Sequence, residues 1–151
     1  MQLTQKEVEL LKDLSEQEKL CVDKYTRHSD CANDAQLKNL FTEIAKIENT
    51  HLSIITDMQN GTVPPNQSSG GQYNPTFKPT YTTAETPEKK NDCYLCTDVL
   101  TAEKHASHLY DTCVFEFEDE DARKMLNTIQ SAEQHHGKLI YDYMKANSMQ
   151  A

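Results

Sequence analysis

The chain has 151 residues, with no Trp, 24 acidic and 15 basic side chains and a net charge of −9. This length suits a single domain over residues 1–151, and the frequent Glu, Lys, Leu and Ala favour helices. The negative charge argues against a nucleic-acid partner. No stretch approaches the ~18 apolar residues of a membrane span, and the first residues lack the basic and apolar regions of a signal peptide. We therefore expect no membrane partner, and synthesis and retention inside a cell.

Four amphipathic segments predict four helices, so the expected fold class is all-α. We expect the helices at about residues 4–29, 34–59, 92–115 and 119–146. The candidate N-terminal caps are Thr4 with Glu7 in a capping box, Asn33 or Asp34, and Asn91 or Asp92. The acidic run at 116–121 suits the positive end of the fourth helix dipole, with cation capture as the alternative.

A long connection at residues 61–91 separates the second and third helices. It contains all five prolines and three of the four glycines, so we expect no core of its own. Its extended length exceeds that of the helices, so it can cross the whole bundle and place the third helix parallel to the second. The connection is either a passive mobile tether or a segment that docks to a partner or neighbouring subunit through Tyr73, Phe77 and Tyr81.

Two copies of one pattern lie 85 residues apart, and in each copy a glutamate precedes a Glu-x-x-His pair by 30 residues. The copies are Glu18 with Glu48 and His51, and Glu103 with Glu133 and His136. All six residues interrupt the apolar stripes of the four helices, so they point into the core. This is the ligand pattern of a dinuclear metal site in a ferritin-like four-helix bundle with one long crossover between helices 2 and 3.

A charge-balance argument supports metal binding. Four carboxylates buried without partners would be costly, and two divalent cations would neutralise them. On the ferritin-like template Glu48 and Glu133 bridge the ions, Glu18 and Glu103 are terminal ligands, and His51 and His136 bind one ion each. Carboxylate and imidazole ligands suit iron or manganese, with zinc as a possible substitute. The alternative is a metal-free core in which carboxylates and histidines pair.

Further identities at the same offset indicate a duplicated helix hairpin. They include Asp13 with Asp98, Lys19 with Lys104, Ile44 with Ile129, Ile55 with Ile140 and Asp57 with Asp142. Tyr25 and Tyr110 are also equivalent, two turns after their glutamates. Each phenol either donates a hydrogen bond to a ligand carboxylate or packs in the core.

The five cysteines do not form the even, regularly spaced set of a disulfide framework. Cys21, Cys96 and Cys113 fall on apolar stripes, and we expect them to be buried. Cys93 and Cys96 have the spacing of half a zinc or iron site, but no second Cys-x-x-Cys exists. The pair either has a redox or crosslinking role or consists of inert thiols. His105, His108 and His135 fall off the inward stripes, and we expect them at the surface.

The chain resembles the Coat F family of spore coat proteins from endospore-forming bacteria. The resemblance rests on LCVDKY at 20–25, AQLKNLF at 35–41, YLCTDVL at 94–100 and FEF at 115–117. It implies a ferritin-like helical protein located in the spore coat, with coat proteins or a second copy of itself as partners. More distantly, the duplicated ligand pattern is similar to that of rubrerythrins and manganese catalases.

Two functional hypotheses follow. In the first, the chain is a spore-coat-associated protein with a dinuclear iron or manganese site in its core. In the second, it is an oxidoreductase that acts on peroxide or dioxygen, or an iron-oxidising protein. A homodimer is expected in either case.

Overall fold

The computed structural model describes residues 1–65 and 72–150, and these form four α-helices and no strand. The helices are α1 (Gln5–Cys31), α2 (Ala35–Gln59), α3 (Pro87–Glu116) and α4 (Glu120–Ala146). The all-α prediction is confirmed. Residues 66–71 of the predicted connection, and Ala151, lie outside the described residues.

Short polar side chains define where three of the helices begin. Thr4 accepts a hydrogen bond from the backbone N–H of Glu7, and the Glu7 carboxylate accepts one from the N–H of Thr4. Asp34 caps α2 and Asp119 caps α4 in the same way. These side chains satisfy N–H groups that have no partner within the helix. The predicted capping box and the Asp34 cap are therefore confirmed.

The start of α3 differs from the prediction, because the helix begins at Pro87, five residues before the expected position 92. Thr86 caps it by accepting from the backbone N–H of Lys89. Proline is favourable in the first turn because its missing N–H would have no helical partner there. The prediction that Asn91 or Asp92 would cap this helix was wrong, since both residues lie inside it.

Asp92 instead joins α3 to the turn between α1 and α2. Its side chain is fully buried and accepts from the backbone N–H groups of Asn33 and Asp34 at 2.8 and 2.9 Å. The hydroxyl of Tyr81 donates to the same carboxylate at 2.7 Å. A single side chain therefore ties together the α1–α2 turn, the start of α3 and the long connection.

The helices pack as antiparallel neighbours, consistent with a four-helix bundle. α1 packs on α2 and α3 packs on α4, while α1–α3 and α2–α4 contacts join the two hairpins. The Asp92 contacts place the end of α1 beside the start of α3, and Tyr143 near the end of α4 donates to Asp34 at the start of α2. α2 and α3 therefore run in the same direction and occupy diagonal positions among the four helices.

The described parts of the connection follow α4. Pro64 lies beside the first turns of α4, and the carbonyl oxygen of Tyr73 accepts from His135 Nε2 at 2.7 Å. The Phe77 ring then packs edge-on against Tyr143, with centroids 5.5 Å apart. The aromatic residues at 73, 77 and 81 thus pack on the protein's own core, so a passive tether is wrong for this part. His135, expected at the surface, is half-buried under it.

Two apolar clusters fill the bundle, one toward each end. The first includes Tyr25, Leu40, Phe41, Val99 and Ile140, and the second includes Leu11, Leu14, Ile55, Cys113 and Ile129. The predicted Glu and His positions lie between them along every helix. Across residues 1–65 and 72–150, no helix has the length and apolar character to cross a membrane.

We expect the Asp92→Ala substitution to lower the free energy of unfolding by about 3 kcal/mol, because it leaves two backbone N–H groups, of which that of Asp34 is buried, and a tyrosine hydroxyl without an acceptor. Urea denaturation measures this loss. Asp111→Ala, at an exposed position of the same helix, is the matched control and should change stability little. An equal effect of both substitutions would contradict the role of Asp92 in linking these segments.

Candidate metal centre

All six residues of the duplicated pattern lie together in the middle of the bundle, one or two from each helix. Their exposed fractions are 0% for Glu18, Glu48 and Glu133, 1% for His136, 3% for Glu103 and 6% for His51. The helices hold them inward because each occupies a core position of its apolar stripe. The bundle core therefore contains a polar layer between two apolar clusters.

The potential ligand atoms form two groups of four, and within each group the atoms lie within 4.8 Å of one another. The first group is Glu18, Glu48, His51 and Glu133, and the second is Glu48, Glu103, Glu133 and His136. Glu48 and Glu133 belong to both groups. Each of the other four side chains belongs to one group only, which matches the division into shared and terminal residues that the sequence predicted.

The two histidines face carboxylates of the opposite hairpin. His51 Nδ1 lies 2.9 Å from Glu133 Oε1, and His136 Nδ1 lies 3.0 Å from Glu48 Oε1. The second contact is close enough for charge attraction, but its alignment is too poor for a hydrogen bond. The imidazole rings are stacked with centroids 6.1 Å apart. Both histidines thus present the same ring nitrogen toward the shared carboxylates.

Tyr25 and Tyr110 each donate a hydrogen bond of 2.6 Å to one of these carboxylates. Tyr25 donates to Glu103 and Tyr110 to Glu18, so each phenol reaches the carboxylate of the other half. The sequence left hydrogen bonding and simple core packing open for each phenol, and it did not indicate that each would bond to the glutamate of the other half. Each bond engages one carboxylate oxygen and orients the other toward the centre of the cluster.

Buried polar atoms without hydrogen-bond partners are concentrated in this cluster. Across residues 1–65 and 72–150 there are six such side-chain atoms, and all six belong to the polar layer. They are Glu18 Oε2, both carboxylate oxygens of Glu48, Glu103 Oε2, Glu133 Oε2 and His136 Nδ1. Since a buried unpaired polar atom is costly, the arrangement calls for a cationic partner.

Without a cation, burial and neighbouring charges shift the pKa values of the carboxyl groups. Burial, together with repulsion from Glu48, raises the pKa of Glu18 to about 9. Burial and repulsion from Glu103 likewise raise the pKa of Glu133 well above its ordinary value. Burial would also raise the pKa of Glu48, but contacts with His136 and His51 lower it well below the usual range. Without divalent cations, protons must therefore carry part of the neutralising charge.

The donor set fits transition-metal ions. Carboxylate oxygens and imidazole nitrogens suit iron and manganese, and they also accept zinc. Cys21 belongs to neither group of potential ligands. Burial and the surrounding carboxylates raise the pKa of its thiol far above the ordinary value. The predicted burial of Cys21, Cys96 and Cys113 is confirmed, and all five cysteines are free thiols.

One feature near the cluster was not predicted. A groove between α3 and α4 reaches Glu103 and Glu133 and is lined on the α4 side by Gly137. The sequence signal was a glycine inside an otherwise helical pattern, which often marks a packing or functional requirement. His105 and His108 are exposed, as predicted, and neither belongs to the cluster.

The fold and the cluster define a class of protein: an all-helical four-helix chain with buried glutamates and histidines at its centre. The Coat F domain model matches residues 91–150. The matched range contains Glu103, Glu133 and His136. It confirms the Coat F resemblance and supports the expected spore coat location and coat-protein partners. A search of curated proteins and a search of solved structures each gave no match.

Without a bound cation, we expect the free energy of unfolding to fall as the pH rises from about 4.5 toward 9. Glu18 keeps its proton in the folded protein over this range but loses it when unfolded, so its stabilising contribution is lost as the pH passes the folded pKa. The raised pKa values of Glu133 and His136 act in the same direction. The lowered pKa of Glu48 adds no change here, because its contribution is complete above its unfolded value.

Urea denaturation of metal-free protein across this pH range measures the effect. Glu18→Gln should flatten the dependence, whereas Glu16→Gln, at an exposed position two residues away, should leave it unchanged. A metal-free protein that becomes more stable with rising pH would contradict this prediction.

Proposed function

We propose that the chain is a ferritin-like, spore-coat-associated protein whose core binds two iron or manganese ions. The observation that carries the proposal is the pair of four-residue groups that share Glu48 and Glu133. A ferritin-like bundle uses a Glu from each of two helices and a Glu-x-x-His pair from each of the other two. The parallel direction of α2 and α3 supports a long crossover, with the connection along α4 as its path.

Each residue has a defined role in this proposal. Glu48 and Glu133 bridge the two ions, and Glu18 and Glu103 bind one ion each. His51 and His136 bind through Nδ1, the nitrogen that faces the carboxylates. Two divalent ions carry the charge that four carboxylates require, and they provide partners for the six unpaired atoms.

Tyr25 and Tyr110 act as positioning residues. Each holds one oxygen of a terminal carboxylate and leaves the other oxygen directed to an ion. Since each tyrosine comes from the half opposite its glutamate, the hydrogen bonds also fix the two hairpins relative to each other. The same two hydrogen bonds therefore position the carboxylates and hold the two hairpins together.

The expected location is the spore coat, with other coat proteins as partners and a homodimer as the form of self-association. The support for the coat is the Coat F match, which is independent of the ligand geometry. The bundle would supply a stable helical unit for assembly, and the ions would stabilise that unit because they bind only the folded chain.

We expect protein from its native source, or reconstituted with iron or manganese, to contain about two ions per chain by elemental analysis. Glu48→Gln and Glu133→Gln should each reduce this to about one or fewer, because each removes a shared ligand while keeping the side-chain shape. Glu16→Gln is the matched control at an exposed position and should keep the full content. Unmutated protein without bound metal under metal-replete conditions would overturn the metal-site proposal.

A second candidate function is oxidation or disproportionation with peroxide or dioxygen. The observation that favours it is the groove that reaches Glu103 and Glu133, since a purely structural ion needs no open approach. Bound iron or manganese would supply one-electron redox chemistry there. The residues of this chain would hold the ions, balance their charge and keep bulk water from the centre.

We expect metal-loaded protein to consume hydrogen peroxide, or dioxygen when bound ferrous iron supplies the electrons, and Glu133→Gln to lose this activity together with its metal. Peroxide absorbance and an oxygen electrode measure the two reactions. Metal-loaded protein that consumes neither would overturn the oxidoreductase candidate and leave the metal-site proposal intact.

A further inference from the structure

The groove between α3 and α4 is the largest of the described cavities that border the polar layer. Its volume is about 660 Å³. It is lined by Leu100, Glu103, Lys104 and Ser107 of α3 and by Glu133, Gln134, Gly137, Lys138 and Tyr141 of α4. Glu103 and Glu133 form its inner end, with exposed fractions of 3% and 0%. The groove therefore borders both carboxylates while leaving almost none of their surface exposed.

The duplicated hairpins differ at the position that keeps this groove open. The equivalent of Gly137 in the first half, 85 residues earlier, is Leu52. A Cβ placed on Gly137 would lie 3.9 Å from Leu100 Cδ2, so a longer side chain would extend into the groove. On the α1–α2 side, where the leucine is present, Glu18 is fully buried.

Glycine inside a helix costs about 1 kcal/mol relative to alanine, so its position in the middle of α4 needs a reason. The contact distance leaves room for an alanine, and close packing of α3 on α4 therefore does not require glycine. The missing side chain instead leaves an open space at this point of the groove. It borders the second half of the cluster at Glu103 and Glu133.

The other side of α4 is occupied by the protein's own connection. Pro64 and Pro65 line the hollow that contains His51, and the Tyr73 carbonyl lies on His135 farther along the helix. The α3–α4 groove has no lining residue from the described parts of the connection. The groove at Glu103 and Glu133 therefore lies on a side of α4 that the described parts of the connection do not cover.

Lys104 places an exposed ammonium group at the groove mouth, while Lys138 is paired with Asp142. An ammonium group at the mouth raises the local concentration of anions and disfavours free cations. The lining otherwise combines the apolar Leu100 and the Tyr141 ring with the neutral polar Ser107 and Gln134. A small neutral or singly negative molecule suits this path.

We propose that the α3–α4 groove is the route by which small peroxide-type molecules reach the second half of the cluster, at Glu103, Glu133 and His136. This inference rests on the proposed metal site and deepens it by naming the approach and the class of molecule that uses it. Gly137 keeps the route open, and Lys104 favours neutral and anionic molecules over cations.

Azide is the probe, because it is a small anion that gives a charge-transfer absorption with ferric iron. Stopped-flow absorbance of iron-loaded, oxidised protein measures its association rate. Gly137→Leu, which installs the residue of the first half, should slow azide association about tenfold or more because the path is filled. Ala132→Leu, on the α2–α4 side of the same helix, is the matched control and should leave the rate unchanged.

A second variant keeps the test independent of how Gly137→Leu folds. Lys104→Glu changes only an exposed rim charge and should slow azide association about threefold at low salt, with the difference disappearing at high salt. Circular dichroism and iron content establish that each variant is folded and loaded. An unchanged rate in both groove variants, or slowing by Ala132→Leu instead, would overturn the proposed route.

The outcomes separate this inference from the metal-site proposal. Unmutated protein that binds no iron overturns the metal site and the route with it. Full iron content in every variant, with equal azide rates, leaves the metal site intact and overturns the route alone.

Discussion

The central constraint on this protein is the burial of four carboxylates and two imidazoles in the middle of a small helical bundle. The charged form of each carboxylate is costly in the core, and here the four lie close enough to repel one another. Burial and this repulsion raise the pKa values of Glu18 and Glu133. Two divalent ions would relieve it fully, and they would also give the six unpaired atoms their partners. The binding of such ions would thus stabilise the fold.

The duplication explains how such a cluster is held together. Each hairpin supplies a lone glutamate, a Glu-x-x-His pair and a tyrosine at the same spacing. The hydrogen bonds from Tyr25 to Glu103 and from Tyr110 to Glu18 each join one hairpin to the other, and both have a length of 2.6 Å. Neither hairpin alone satisfies its own glutamate, so the polar layer is completed only when both halves pack. The layer therefore selects one register between the hairpins, because sliding one helix would leave buried carboxylates without donors.

Side-chain spacing predicted the core of this arrangement, because residues three or four apart in the sequence lie on the same face of a helix. That period was sufficient to identify the six clustered residues and the two tyrosines. It was not sufficient for the start of α3, where Thr86 and Pro87 provide cap chemistry inside a segment whose composition resembles a loop. Nor did it predict that the 73–81 aromatics pack on the bundle. Those contacts depend on which surface the connection meets, and no local pattern encodes it.

The two halves of the cluster are alike in ligands but not in surroundings. In the first half, Leu52 occupies the position that Gly137 leaves vacant in the second, and the connection borders the hollow at His51. The repeat has diverged at this position while the six Glu and His residues are retained. The side chain that glycine lacks leaves space in the α3–α4 groove beside Glu103 and Glu133, and this groove is the structural basis of the proposed route for small molecules. Two hairpins with the same sequence spacing therefore differ in the cavities next to their glutamates.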